Sequence, residues 1–250
     1  MKDELERVAD KLSNSKKAVA LTGAGISVES GIPHFRGKNG LWSKYDPEEY
    51  THINAFMSNP EKVWKMLEEL WEIVDKAKPN PAHYALAELE KLGLLSSIIT
   101  QNIDCLHHEA GSSKVIEFHG SHRNFLCMWC GKKIEAKKVS MRKIPPLCKC
   151  GKPLKPDVVL FGEAIPRNAL EQSFREAENC DFMFVIGTSA VVAPASSLPI
   201  LAKQVGATVL EINPTPTHLT DRVADITILE SSGTVLPKIV ENYKLKINNN

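Results

Sequence analysis

The sequence predicts an α/β protein: a doubly wound parallel sheet with a smaller inserted domain. Three observations predict it. Short apolar runs, most of them rich in Val and Ile, recur at Ala18–Leu21, Ser97–Thr100, Val115–Phe118, Phe182–Ile186, Thr208–Ile212 and Asp225–Leu229. None is long enough for a core helix, and each fits a parallel strand buried on both faces. Helical stretches lie between them, which is the rhythm of a doubly wound sheet. Two segments, 32–78 and 121–157, break that rhythm and read as insertions.

The bulk numbers agree. A chain of 250 residues suits one large domain, or one domain carrying an inserted smaller one. It is 43% hydrophobic and 24% charged, so a sizeable core is available. A formal net charge of +1 gives no general pull towards nucleic acid or membrane. No apolar run approaches the roughly 20 residues that span a bilayer. The first residues, "MKDELERVADKLSNSKK", are too charged for a secretory leader, so a cytoplasmic protein is expected.

The elements follow in order. Leu5, Val8 and Leu12 mark one face of an opening amphipathic helix. The run after it ends in "TGAGIS", where a helix starting near Ser27 is expected. Two later helices open on Asn-Pro, at Asn59-Pro60 and Asn80-Pro81, with Asn as cap and Pro in the first turn. The first carries a stripe of Val63, Trp64, Leu67, Leu70, Trp71 and Val74, read as core packing. The second runs to about Leu92 and stops at Gly93. The division is then 1–31, 79–120 and 158–250 for the main domain, 32–78 for a helical module and 121–157 for a cysteine-bearing module.

Four strand ends agree with one another. They read "TGAGIS" (22–27), "TQNID" (100–104), "GTS" (187–189) and "NPT" (213–215). In open α/β sheets ligands bind beyond the carboxyl ends of the strands, where the strand order reverses. Glycines let backbone N–H groups approach a phosphate, and hydroxyls and amides suit a ribose and a base. Any one of these ends is an ordinary turn; four together point to a nucleotide. The turn lacks the third glycine of G-x-G-x-x-G, with Val28 in its place. The acidic residue expected about 20 positions on falls near Asp46, outside any strand pattern, so a hydride-transfer enzyme does not fit. Asp104 and His119 are the chemical candidates. His119 follows the strand "VIEF" and can face the same crevice as a general base, with Gly120 beside it leaving room for a ligand.

Cys127, Cys130, Cys148 and Cys150 form two close pairs separated by 17 residues. Four thiolates with no further ligand read as a closed, structural zinc site. The second pair is C-x-C, a tighter knuckle than C-x-x-C. Buried free thiols are the alternative, and Cys105 and Cys180 are read as packing residues. Lysines at 132, 133, 137, 138, 143, 149, 152 and 155 also admit a nucleic-acid zinc ribbon, although a charged run is more often a solvated face.

Taken together, these motifs resemble the sirtuins, NAD-dependent protein-lysine deacylases. "GAGISVESGIPHFRG", "TQNID-x-LH-x-x-AG", "HG" at 119–120, "FGE" at 161–163, "GTS" and "NPT" occur in that family's order over nearly the whole chain. The resemblance implies a Rossmann-like domain, and a small domain of helical and zinc modules. It implies that NAD is consumed as a substrate and that one zinc is structural. Gly23, Ala24, Gly25 and Val28 would then meet the pyrophosphate, and Phe35 and Arg36 would lie on a closing loop. Gln101, Asn102, Ile103 and Asp104 would surround the ribose and nicotinamide. Gly187, Thr188, Ser189 and Asn213 would hold the adenosine half.

By the same resemblance, His119 would be the general base, and Asn102 would order the ribose and a water. The acyl oxygen would attack the ribose as nicotinamide leaves. The products would be lysine, nicotinamide and 2′-O-acyl-ADP-ribose. Val159, Phe161, Gly162 and Glu163, within the strand-like "VVLFGE", would pair with the substrate peptide. The implied partners are acyl-lysine proteins or peptides, with no membrane and no direct nucleic acid. Two departures stand out. His34 replaces a small or acidic residue before "FRG". Leu67 and Leu70 match the Tyr and Arg of the desuccinylating subgroup, which disfavours a succinyl group. Mono-ADP-ribosyl transfer at the same site and a non-catalytic NAD- or zinc-binding module are the competing readings.

Overall fold

The computed structural model describes residues 2–34, 40 and 43–248. Helix α1 (Lys2–Ser13) turns Leu5, Val8 and Leu12 into the core, as its spacing requires. Strand β1 (Ala18–Thr22) follows, with all five residues buried. The expected helix near Ser27 is instead a tighter 3-10 segment, Ala24–Ser30. Its N-cap is Gly23, and its end is held by Gly31 N–H donating to the Val28 carbonyl at 2.9 Å. Short helices α2 (Pro47–Tyr50) and α3 (Ile53–Ser58) lead into the long α4 (Pro60–Lys76).

Asn59 caps α4 by accepting from Lys62 N–H at 3.0 Å, and Asn80 caps α5 (Pro81–Lys91) by accepting from Ala82 N–H at 2.9 Å. Both bonds satisfy a helix donor that has no internal partner. Asp46, by contrast, caps α2 through Glu48 N–H at 2.9 Å and belongs to no strand.

Strands β2 (Ser97–Thr100) and β3 (Val115–Glu117) flank the short helix α6 (Leu106–Glu109). Then come β4 (Gly120–Leu126), β5 (Lys133–Glu135) and β6 (Lys155–Val158). These three form an antiparallel sheet of order β5-β4-β6. The chain continues through α7 (Arg167–Glu178), β7 (Phe182–Ile186), α8 (Leu198–Gln204), β8 (Thr208–Ile212), β9 (Ile226–Ile228) and α9 (Ser232–Asn248). Among the described residues the larger sheet has six parallel strands in the order β3-β2-β1-β7-β8-β9. The order reverses between β1 and β7, which pair from Ala18↔Phe182 to Thr22↔Ile186.

Alternation along the strands builds three layers. Ala18, Ala20, Phe182, Phe184, Leu210 and Ile212 pack with α1, α5 and α9. Val19, Leu21, Met183, Val185 and Val209 pack on the other face with Ala177 of α7 and Leu198 and Ala202 of α8. A third apolar cluster joins α3 and α4 to the small sheet, with Phe56, Trp64, Phe125 and Leu154 fully buried. Trp64 and Trp71 both lie against Phe125, and Trp64 Nε1–H donates to the Leu154 carbonyl at 2.8 Å. Trp64 therefore packs as expected and also satisfies a buried carbonyl. Among the described residues no helix is long and apolar enough to cross a membrane.

Candidate active site and metal centre

Three strand ends meet where the large sheet reverses. Gly23 N–H donates to the Ile186 carbonyl at 3.1 Å, and Gly25 N–H to the Gly187 carbonyl at 2.7 Å. The two loops touch through backbone alone. A Cβ on Gly25 would sit 2.7 Å from Gly187 Cα, and one on Gly187 would sit 2.3 Å from Ile26 N. These glycines serve the contact between β1 and β7 first, because no side chain fits between the two backbones. Gly23 has no side chain to cap the 3-10 segment; Gly25 N–H goes to Gly187 and Ile26 N–H to the Gly23 carbonyl at 3.1 Å, which leaves the Ala24 N–H of that turn for an anion.

The "TQN" end of β2 crosses the same point. Gln101 Nε2 donates to Thr188 Oγ1 at 3.0 Å and Asn102 Nδ2 to Ser27 Oγ at 3.1 Å and to the Gly23 carbonyl at 3.2 Å. Ser27 Oγ in turn donates to Asp104 Oδ2 at 2.7 Å, and Leu106 N–H donates to Asp104 Oδ1 at 3.0 Å. Asn102 and Asp104 are buried, at 7% and 4% exposure. This polar cluster supplies amide, hydroxyl and carboxylate groups of the kind that hold a ribose and a carboxamide. Ser27 is its centre, and the motif that contains it was the only sequence signal for it.

His119 sits in the turn between β3 and β4, half-buried, with its ring edge-on to Phe118. Its Nδ1 lies 2.9 Å from the Gln101 carbonyl oxygen. A carbonyl only accepts, so Nδ1 carries the proton and Nε2 keeps its lone pair. Burial pushes the His119 pKa below its ordinary 6.5, and the Gln101 hydrogen bond opposes part of that shift. The ring is therefore neutral at pH 7 and able to accept a proton.

Gly120 corrects an expectation. A Cβ there would meet the Asp157 carbonyl oxygen at 2.2 Å. Its space is filled by the backbone of β6 and leaves no room for a ligand.

Ile103 is only partly buried, and its carbonyl accepts from His122 N–H at 3.1 Å. Ala24 and Val28 are half-buried within the 3-10 segment. Asn213 follows β8, its N–H bonded to Ile228 O at 3.2 Å and its side chain to Thr215 O at 2.7 Å. Ser189 is exposed between the buried Thr188 and Ala190. Phe35 and Arg36 lie outside the described residues. His34, just before them, is exposed.

The segment 158–163 is also not the strand that was expected. Strand β6 ends at Val158, and beyond it only Phe161 makes an isolated parallel bridge, to His52. Val159 N–H donates to the His119 carbonyl at 2.9 Å. Phe161 is 43% exposed, Gly162 is exposed, and Glu163 turns its carboxylate inward. Lys155, counted above among the surface lysines, is buried, and His52 was not singled out by any local pattern.

At the far end of the small sheet the four cysteine sulfurs lie within 4.8 Å of one another. Cys127–Cys150 and Cys130–Cys148 are 3.5 and 3.7 Å apart. A tetrahedral zinc with bonds of about 2.3 Å needs sulfurs about 3.8 Å apart, so the donor set fits zinc in both chemistry and spacing. Each knuckle closes on a glycine N–H, Gly131 to Cys127 O and Gly151 to Cys148 O, both at 2.9 Å. The C-x-C knuckle closes one residue sooner and still brings both sulfurs into range. Of the other two thiols, Cys180 packs in the apolar layer as expected, whereas Cys105 is partly buried with its sulfur 3.5 Å from His122 Nδ1 and 3.7 Å from the Ile103 carbonyl. Burial pushes Cys105 up to about 12 and Cys180 up to about 11.

Residues 23–194 match the Sir2 family. The chain belongs to the Sir2 family. Among its Sir2 relatives is the NAD-dependent protein deacylase 2 of Archaeoglobus fulgidus (strain ATCC 49558), 47% identical over 251 residues and covering 98% of each chain. A solved complex of a Sir2 homologue with NAD superposes with a TM-score of 0.90 at 48% identity, covering 97% of this chain and 94% of that one. A Sir2 complex with p53 peptide and NAD+ gives 0.88 at 35% identity, covering 96% and 99%.

Proposed function

We propose that this Sir2-family chain is an NAD-dependent protein-lysine deacylase. It moves the acyl group from lysine to ADP-ribose and releases nicotinamide and 2′-O-acyl-ADP-ribose. One observation carries the reading: a neutral His119 has its Nδ1–H held at 2.9 Å by the carbonyl of Gln101, whose side chain reaches Thr188 at 3.0 Å, so Nε2 is the nitrogen left to accept a proton.

Bound NAD supplies the chemistry of a labile glycosidic bond. The chain does the rest. The turn at Gly23, Ala24, Gly25 and Val28 seats the pyrophosphate, and Gly187, Thr188, Ser189 and Asn213 take the adenosine half. Gln101, Asn102, Ile103 and Asp104 line the ribose and nicotinamide side. Asn102, fixed by Ser27 and Gly23, orients the ribose and a water. His119 Nε2 removes a proton from a ribose hydroxyl, and Nδ1 keeps its own. Zinc on Cys127, Cys130, Cys148 and Cys150 takes no part in these steps and braces the small sheet.

The peptide lies along Val159, Phe161, Gly162 and Glu163. Two unpaired backbone regions support this: the Val159 carbonyl and both backbone groups of Gly162 have no partner among the described residues. Backbone pairing reads little sequence, so broad peptide tolerance follows. The division into 1–31, 79–120 and 158–250 against 32–78 and 121–157 is part of the proposal, because the apolar clusters largely follow it. So is a cytoplasmic location, where thiols stay reduced and free to hold zinc.

The test is mass spectrometry of NAD incubated with an acetyl-lysine peptide and either wild type or His119→Ala. Free lysine, nicotinamide and O-acetyl-ADP-ribose from wild type alone are expected. A product in which ADP-ribose is attached to protein would mean ADP-ribosyl transfer instead. Leu67 and Leu70 are buried among apolar neighbours and offer no cation to an acidic acyl group. Succinyl-lysine turned over as fast as acetyl-lysine would therefore overturn the apolar acyl preference.

A further inference from the structure

Lys155 is the exception in a basic module. The lysines at 132, 133, 137, 138, 143, 149 and 152 are exposed, whereas the Lys155 side chain is 2% exposed. A buried ammonium is tolerated when its protons are taken up. Lys155 Nζ donates to the Val158 carbonyl at 2.6 Å and to Glu163 Oε2 at 2.8 Å. The same Oε2 accepts from Leu160 N–H at 2.8 Å, and Glu163 N–H donates to the Leu160 carbonyl at 3.0 Å. Four bonds thus close the segment 158–163 from beneath.

Its flanks are tied as well. Val159 N–H reaches the His119 carbonyl, while Phe161 N–H donates to Thr51 O and Phe161 O accepts from Ile53 N–H, each at 2.9 Å. One side of the segment is therefore bonded to the residue that carries the proposed base, and the other to the start of α3.

A buried ion pair is weak evidence for stability, since an apolar pair of the same volume serves as well. What an apolar pair cannot do is hold one carbonyl and one amide of a short loop inward. That constraint leaves the Val159 carbonyl and the backbone groups of Gly162 without a partner among the described residues. We infer that Lys155 and Glu163 are positioning residues for the acyl-lysine substrate: their ion pair fixes the 158–163 segment against His119, so that a peptide bound there is in register with Nε2. This rests on the deacylase reading and reassigns Glu163 from contacting the peptide to shaping its platform.

The experiment uses full-length Lys155→Met, Glu163→Gln and the double variant. Hydrogen exchange by mass spectrometry should quicken at 158–163 and stay unchanged in α9. The KM for acetyl-lysine peptide should rise about tenfold or more in all three, with the KM for NAD within about twofold of wild type. Each single variant strands a buried partner, so the double variant should melt higher than either single one and still keep the raised peptide KM. A double variant with wild-type peptide KM would show that the pair only neutralises charge, and the inference falls. It falls too if exchange at 158–163 is unchanged, or if both KM values rise together. A wild type that turns over no acyl peptide removes the functional reading and this inference with it. Active variants with wild-type peptide KM remove this inference alone.

Discussion

At His119 a single hydrogen bond assigns the tautomer. The Gln101 carbonyl fixes the proton on Nδ1, and burial keeps the ring neutral. A base works in its neutral form, and a depressed pKa keeps it neutral to lower pH. The acid limb of kcat/KM is therefore expected below pH 6.5, and His119→Ala should lower kcat by about 10²–10⁴-fold. A pH profile whose acid limb lies above 6.5 would contradict the burial argument. Residue by residue, the site was legible where a motif was quoted whole: Gln101, Asn102, Asp104 and His119 all gather where their strand ends predicted. Gly120 and Lys155 were not legible. Their roles depend on β6, whose backbone fills the space beside one and whose neighbours bury the other.

Among elements, the turn after β1 is the most constrained. It is held to β7 by the Gly25–Gly187 bond, with two backbones in contact. Gly25→Ala forces them apart and should cost about 1–3 kcal/mol, with a loss of NAD affinity visible by calorimetry. A variant of wild-type melting temperature and affinity would show that the contact yields easily. The cysteine knuckles are the second constrained element. Removing zinc with a strong chelator should loosen β4, β5 and β6 and abolish peptide turnover, and readded zinc should restore it if the chain has not aggregated. Turnover that survives complete zinc removal would contradict the bracing role. The 3-10 form of 24–30 was not readable in advance, because its tight turn follows from tethers at both ends. Gly25 is held by β7, and the Ile26 carbonyl accepts from Asn80 Nδ2 at 2.7 Å.

For the whole molecule, the polar joints buried between layers set a pH limit. His83 and His107 lie edge-on, 4.9 Å apart, between α5 and α6, and both are essentially unexposed. Burial pushes His83 down to about 4 and His107 well below 6.5. Unfolded, both take up protons near 6.5; folded, they do not. Their contribution is thus full above pH 6.5 and is lost as pH falls towards 4, about 3 kcal/mol for His83 at about 1.4 per pK unit. Melting temperature should fall steeply across that window. His83→Gln should flatten the fall, and an equal slope in the variant would overturn the assignment.

The sequence by itself determined the sheet, the order of its strands along the chain, the caps of α4 and α5, the zinc donor set and the family motifs. Each of these depends on local pattern: a short continuous apolar run, a capping side chain, or a spacing of like ligands. Only the tertiary structure decided which strands are neighbours and that the glycines of two loops touch. It alone turned Trp64 to Leu154, buried a lysine and set the tautomer of His119. Those features depend on groups 18 to 164 positions apart along the chain, brought together when the layers close. Their physical basis is backbone meeting backbone and buried charge meeting its partner, neither of which leaves a periodic trace in a linear sequence.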